Sequence, residues 1–327
     1  MKNQNFINRV ATASALAIAI GLVPQAAHAT GVTAGTLITN TASATYTSGA
    51  ASGSVTSNTV SVKVDELLDV AVAGLTTTPL ATGATNAVLE YRLTNTGNGS
   101  EAYKITVDPA VAGNNFDAVV QSIAIDSNGN GTYEPGTDAV LTSGSATPAL
   151  AADGQLKVFV IVSLPAGATD GQTSQVRLTA EAVTGTGTPG TSFAGQGQGG
   201  GDAVVGASGG TANGLDSLVA ALASVSLSKS ASIVDPFGGA KIVPGSIVTY
   251  TLVATVSGSG QVNGLHVTDT YPSGTTYQAG TLKLDGGALS DASDADAGLA
   301  NGTGIDVNLG TVTGGTTKTV KFDVKIN

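Results

Sequence analysis

Alternation of apolar and polar residues runs through the chain. Leu89, Tyr91 and Leu93 alternate with Glu90 and Arg92; Val248, Tyr250 and Leu252 alternate with Thr249 and Thr251. A period of two puts each set on one face, so both runs predict half-buried β-strands. Each then meets a Gly-rich turn and a second strand, "YKITV" or "LHVTD". Each is preceded by another alternating strand, "LDVAVAG" or "VSLSKSA", and followed later by a long one, "QLKVFVIVSLP" or "KTVKFDVKIN". Segments 86–109 and 245–272 are therefore two copies of one pattern. Short strands at this spacing predict an all-β chain with two immunoglobulin-like β-sandwich domains in tandem, over 65–184 and 224–327. Residues 185–213 hold 11 glycines, so 185–223 reads as a Gly-rich linker or long loop, with "GDAVVGA" a short edge strand within it. No long helical period appears; the best helical candidate is "LDSLVAALA", residues 215–223.

The first residues break the pattern. Lys2 and Arg9 precede an apolar run from Val10 to Val23 and an Ala27-His28-Ala29 site. That order predicts a signal peptide over 1–29, hence export and a mature start at Thr30; the run is too short for a membrane span. Loss of Lys2 and Arg9 takes Lys plus Arg from 13 to 11 against 23 acids, a net charge of −12. Nucleic acid and anionic lipid call for the opposite sign and are excluded as partners. The chain has no Cys, so stability outside the cell rests on something other than disulfides.

The second copy resembles a known family. Its Lys229-Ser230-Ala231 start, Pro244-Gly245 before the Tyr250 strand, "VTDTYPSGTTY", "LSDASDADAG" and "VNLGTVTGGTTKTVKF" are similar to the conserved repeat (domain of unknown function eleven) of bacterial surface and matrix proteins. The similarity is good over 225–326 and loose over 68–183. It implies an immunoglobulin-like sandwich and an extracellular setting, and it brings no catalytic residues.

Candidate chemistry is sparse. In "DSNGNGTYEPGTD", Asp126, Asn128 and Asn130 are spaced by two before Gly131. Alternate oxygen side chains on a loop folded at a Gly can converge on Ca²⁺, with the Thr132 carbonyl and Glu134 or Asp138 closing the shell. The spacing departs from the EF-hand, whose twelfth position is here Thr137. The same residues also suit a plain hairpin loop. Asp291, Asp294 and Asp296 read as a solvated acidic loop more readily than as a cation site. "GASGG" matches G-x-S-x-G at Ser208, but Gly-rich flanks replace the strand and helix of a nucleophile elbow, and His266, the remaining His once the leader is gone, sits outward on a strand. "GTGTPG" and "GQGQGG" open no helix after a strand. No enzyme is expected; an extracellular hydrolase would have Ser208 or scattered carboxylates to offer.

The two copies end differently. The first continues through "AGATDGQTSQVRLTAEAV", whose Val176, Leu178, Ala180 and Ala182 predict a final strand; the second stops at "VKFDVKIN". A segment like the missing tail stands at the other end: "AGTLITNTASATYT" from Ala34, with Ala42, Ala44 and Tyr46 alternating, then Val60, Val62 and Val64 after a turn. In tandem relatives of the repeat family, an N-T-A strand of this kind follows the strand that is terminal here. Residues 30–64 therefore read as a β-hairpin and candidate donor strand. Donated to a neighbour, it gives a head-to-tail homo-oligomer or filament; folded back onto its own second domain, it gives a circular permutation; packed on the first domain, it gives that domain extra strands. The expected partner of the 320–326 strand is the 36–47 strand of a neighbouring subunit. The function expected is a secreted structural protein of a bacterial surface or matrix. The alternative is a monomeric adhesin that binds a surface glycan or another surface protein.

Overall fold

The computed structural model describes residues 31–83 and 85–327. The expected signal peptide lies outside them.

The N-terminal hairpin is there. Its arms are β1 (Leu37–Asn40) with β2 (Ser43–Ser48) and β3 (Ala51–Thr56) with β4 (Val60–Lys63). Leu37 pairs Lys63 and Asn40 pairs Val60; Ser43 pairs Thr56 and Ser48 pairs Ala51. Its base is tied down where the Ala34 amide donates to the Asn98 carbonyl and the Gly35 amide to that of Val64. Beyond the base, it packs on nothing: Ile38, Tyr46, Val55 and Val62 are all more than half exposed.

The first sandwich follows, with β5 (Glu66–Leu68), β6 (Val70–Gly74), β7 (Leu80–Thr82), β8 (Ala87–Asn95), β9 (Tyr103–Asp108), β10 (Val119–Ile125), β11 (Ala139–Leu141), β12 (Gln155–Ser163), β13 (Thr173–Ala182), β14 (Ser192–Phe193), β15 (Ala203–Val205) and β16 (Thr211–Ala220). One layer has the order β11-β10-β12-β8-β6, the other β7-β16-β13-β9. The inward sets predicted by alternation, Leu89, Tyr91 and Leu93 against Val176, Leu178 and Ala180, meet in one core cluster. Full burial of each Leu or Val among them is worth about 1.5–3 kcal/mol.

The expected linker over 185–223 is not a linker. Within it, β15 lies parallel to β5, and β16 pairs β13 along nine residues and β7 at its end. The helical candidate 215–223 is mostly strand for the same reason. Neighbours on both sides satisfy its backbone, and Asp216, Leu218 and Ala220 point inward with a period of two. The first domain therefore runs to Ala220, not 184.

The second sandwich has β17 (Ala223–Val234), β18 (Ile247–Gly258), β19 (Gln261–Thr270), β20 (Thr275–Tyr277), β21 (Lys283–Leu284), β22 (Gly287–Ala288), β23 (Gly298–Ala300), β24 (Gly304–Thr313) and β25 (Thr316–Ile326). The layers are β17-β18-β25-β21-β22, with β20 also on β25, and β19-β24-β23. Phe322 and Val324 are fully buried in its core. The domains adjoin across two residues. Asp170, in a loop of the first, accepts hydrogen bonds from the Leu222 amide (2.8 Å), the Ser259 hydroxyl (2.6 Å) and the Ser259 amide (3.0 Å).

The proposed partner of β25 is corrected here. One edge of β25 pairs β18 from Ile247↔Lys325 to Val256↔Thr316; the other is taken by β20 and β21. It is an interior strand, with no free edge to offer the 36–47 strand. The turns after β19 fold back onto it, a short-strand connection that alternation does not reveal.

Candidate functional site

The two copies share the pairing of their first long strands, β6 with β8 and β17 with β18. Tyr91 pairs Gly74 as Tyr250 pairs Ala231, and Leu93 pairs Val72 as Leu252 pairs Lys229. Strand β19 follows β18 as β9 follows β8, and its "LHVTD" aligns with "YKITV". In the first domain, β9 is covered along one edge by β13, and β16 beyond it packs over β6. The methyl of Val72 approaches Gly214 of β16 so closely that a Cβ there would lie 2.9 Å from it. The Tyr91 hydroxyl donates to the Val176 carbonyl of β13, at 2.8 Å.

In the second domain, no described strand occupies the place of β13 or β16. One edge of β19 is unpaired, and β17, the counterpart of β6, is exposed along most of its length. The contrast is quantitative: Val70 is 4% exposed, whereas its counterpart Leu227 is 54% exposed. Unpaired backbone beside uncovered apolar residues is a strand-accepting groove.

Two charged residues lie on the floor of this groove. Lys229 faces inward from β17 and Asp269 from β19. The Lys229 Nζ lies 2.8 Å and 2.6 Å from the two Asp269 carboxylate oxygens and 4.3 Å from the Tyr250 ring centre. The sequence carried a signal for them, a lysine in line with Leu227 and Ala231 and an aspartate in line with Leu265 and Val267.

The expected calcium loop is built between β10 and β11. Asp126 accepts the Gly129 and Gly131 amides, each at 2.7 Å, one per oxygen. Asn128 and Asn130 accept from the Asn130 and Thr132 amides, and both donate their side-chain NH₂ to the same Glu134 oxygen. Asp138 is buried and accepts the Ser127 and Glu134 amides. Gly129 and Gly131 have φ of 73° and 80°, the left-handed conformation that lets the chain double back. The Lys157 ammonium bonds the Gly131 carbonyl at 2.5 Å. The loop thus brings Asp126, Asn128, Asn130 and Glu134 together; Thr132 contributes its amide. Among the described residues no three His, Cys, Asp or Glu cluster as a metal set.

The other candidates have structural partners. The Ser208 hydroxyl accepts the Val70 and Gly210 amides, which pins the turn before β16. His266 bonds Asp306 at 2.8 Å, on the second domain. Asp291 accepts the Tyr277 hydroxyl and the Gly280 amide, and Asp296 the Ser290 and Gly298 amides. The acidic loop is therefore capped by its own backbone.

No protein-family model and no curated protein matches the chain. Among solved structures it is similar to the C-terminal domain of the AgI/II polypeptide BspA of Streptococcus agalactiae. That match has 11% identity, covers 79% of this chain and 91% of that one, and has a TM-score of 0.34. It is also similar to a protein described as membrane anchored from Corynebacterium diphtheriae, with 11% identity, 89% of each chain covered and a TM-score of 0.21. No described helix is long and apolar enough to cross a membrane.

Proposed function

We propose that the chain is a secreted structural subunit of a bacterial cell surface or extracellular matrix, and that copies join head to tail by strand donation. One observation carries this reading: an exposed apolar hairpin at one end of the molecule and a groove short of strands in the second domain. The hairpin base bonds Asn98, just past the C-terminal end of β8, while the junction to the second domain bonds Thr82, just before its start. Donor and acceptor thus leave opposite ends of the first sandwich, which favours a neighbouring molecule over folding back. A head-to-tail contact of this kind is heterologous and grows an open filament unless it closes a ring. The resemblance of the second copy to surface repeats supports the extracellular setting, and a structural Ca²⁺ in the 126–138 loop belongs to the same reading.

The test is assembly. Protein beginning at Thr30 should form filaments in negative-stain images, and deletion of residues 31–63 should leave monomers. Ala44→Asp should weaken assembly, because it carries an unpaired charge into the groove. Monomers at high concentration of the undeleted protein would refute strand donation.

A further inference from the structure

Three core positions of the first sandwich change character together in the second. Val72 on β6, Val107 on β9 and Leu178 on β13 share one apolar cluster, and Leu178 lies directly opposite Val107 in the strand register. The counterparts of Val72 and Val107 are Lys229 and Asp269. The counterpart of Leu178 is sought in the hairpin. Leu178-Thr179-Ala180-Glu181-Ala182 and Asn40-Thr41-Ala42-Ser43-Ala44 share T-A-x-A, which puts Asn40 in the place of Leu178. Asn40 lies two, four and six residues before Ala42, Ala44 and Tyr46, so in one continuous donated strand the four would share a face. Three apolar residues are thus replaced by an amine, a carboxylate and a carboxamide.

We propose that Lys229 of one molecule and Asn40 of the next become joined by an amide bond, with Asp269 relaying the proton. The inference rests on strand donation as the mode of assembly. The occupant is a second copy of this chain, for reasons of fit. Residues 36–62 hold no charged side chain, so the hairpin enters an apolar groove without stranding a charge. The segment from Leu37 to Lys63 falls within the ~20–30 residues a side of a standard interface.

The chemistry balances without a co-reactant. Covering the Lys229–Asp269 pair removes water from two opposite charges, which is costly unless the proton moves from ammonium to carboxylate and neutralises both. That transfer frees the lone pair on the Lys229 Nζ, and a desolvated lysine amine is a nucleophile. It attacks the Asn40 Cγ. The new C–N bond forms as the bond to Nδ2 breaks; the proton held by Asp269 leaves with that nitrogen as ammonia, and the Nζ, which keeps one hydrogen in the amide, passes its other proton to the Asp269 carboxylate, which ends protonated. No group is oxidised or reduced. Tyr250, 5.4 Å from Phe322 between ring centres, forms an aromatic wall beside the amine.

The experiment uses the chain from Thr30. Filaments boiled in SDS should run as a ladder, and proteolysis should release a branched peptide joining the Lys229 and Asn40 segments, lighter than their sum by one ammonia. Asn40→Leu, which restores the residue of the first domain, and Lys229→Met should still give filaments by microscopy, but these should dissolve to monomers in SDS. Wild-type filaments that dissolve, with both segments at full mass, would overturn the bond and leave strand donation standing. Absence of filaments would overturn both. A ladder that persists in Asn40→Leu would place the bond elsewhere and refute this assignment.

Discussion

Single residues show where the fold carries a cost. Glu66 is buried at the start of the first sandwich; one carboxylate oxygen accepts the Gln198 amide and the other has no partner. Burial, with Glu101 nearby, pushes its pKa above the usual carboxylate value of 4.5, against the opposing Gln198 bond. A carboxyl whose folded pKa is raised contributes stability below its unfolded pKa and loses it as pH rises through the folded one. Glu66→Gln keeps the acceptor for Gln198 and removes the charge. The variant should therefore melt higher than wild type at neutral pH, and the gap should close below pH 4.5. A constant gap from pH 3 to pH 8 would show that the charge is not the cause. Such residues escape sequence reading because burial comes from loops distant along the chain; Gln198 lies in the stretch read as a linker.

At the scale of elements, most of what alternation predicted is present. The strands around Tyr91 and Tyr250, the hairpin and the long strands β12 and β25 are all found. The failures have physical causes. Strand β16 was hidden by glycines before it and by leucines and alanines at spacings that suit a helix; the ladder to β13 decides against helix. The short β20 and β21 have no period of their own, so alternation shows neither that both edges of β25 are covered nor that the open edge lies on β19, in the other layer. The 126–138 loop is closed by its own hydrogen bonds, yet each carboxylate oxygen that accepts one amide keeps a second lone pair. Melting should rise in millimolar Ca²⁺ relative to chelator, by ~2.7 kcal/mol of stability at a hundredfold excess over the dissociation constant. Asp126→Ala should abolish that difference and also lower melting in chelator, since the Gly129 and Gly131 amides lose their acceptor. Identical curves with and without Ca²⁺ for the wild type would count against the cation.

At the scale of the molecule, Asp170 fixes how one sandwich meets the other. Hydrogen bonds, first from the Ser259 side chain and then from the Leu222 amide, hold its pKa below the usual 3.8. A depressed carboxyl contributes above its unfolded pKa and is lost as pH falls through the folded one, so the junction should stay tight at neutral pH and loosen only below about pH 3.8. Small-angle scattering should show Asp170→Ala with a broader spread of end-to-end distances at neutral pH than wild type, each domain keeping its own melting. Equal scattering profiles would show that the β16–β17 connection alone sets the angle.

That connection is Ala221 and Leu222, with the Ala221 amide bonded to the Thr82 carbonyl and the Leu222 carbonyl to the Gly260 amide. A joint with both its residues bonded on either side cannot swivel freely. In a polymer of such units, bending stiffness and helical pitch would be encoded at this joint, the dipeptide together with the Asp170 contacts beside it, much as the angle of a stair tread sets the turn of a spiral staircase. A single glycine inserted after Leu222 would then change the shape of a fibre micrometres long while leaving every subunit correctly folded.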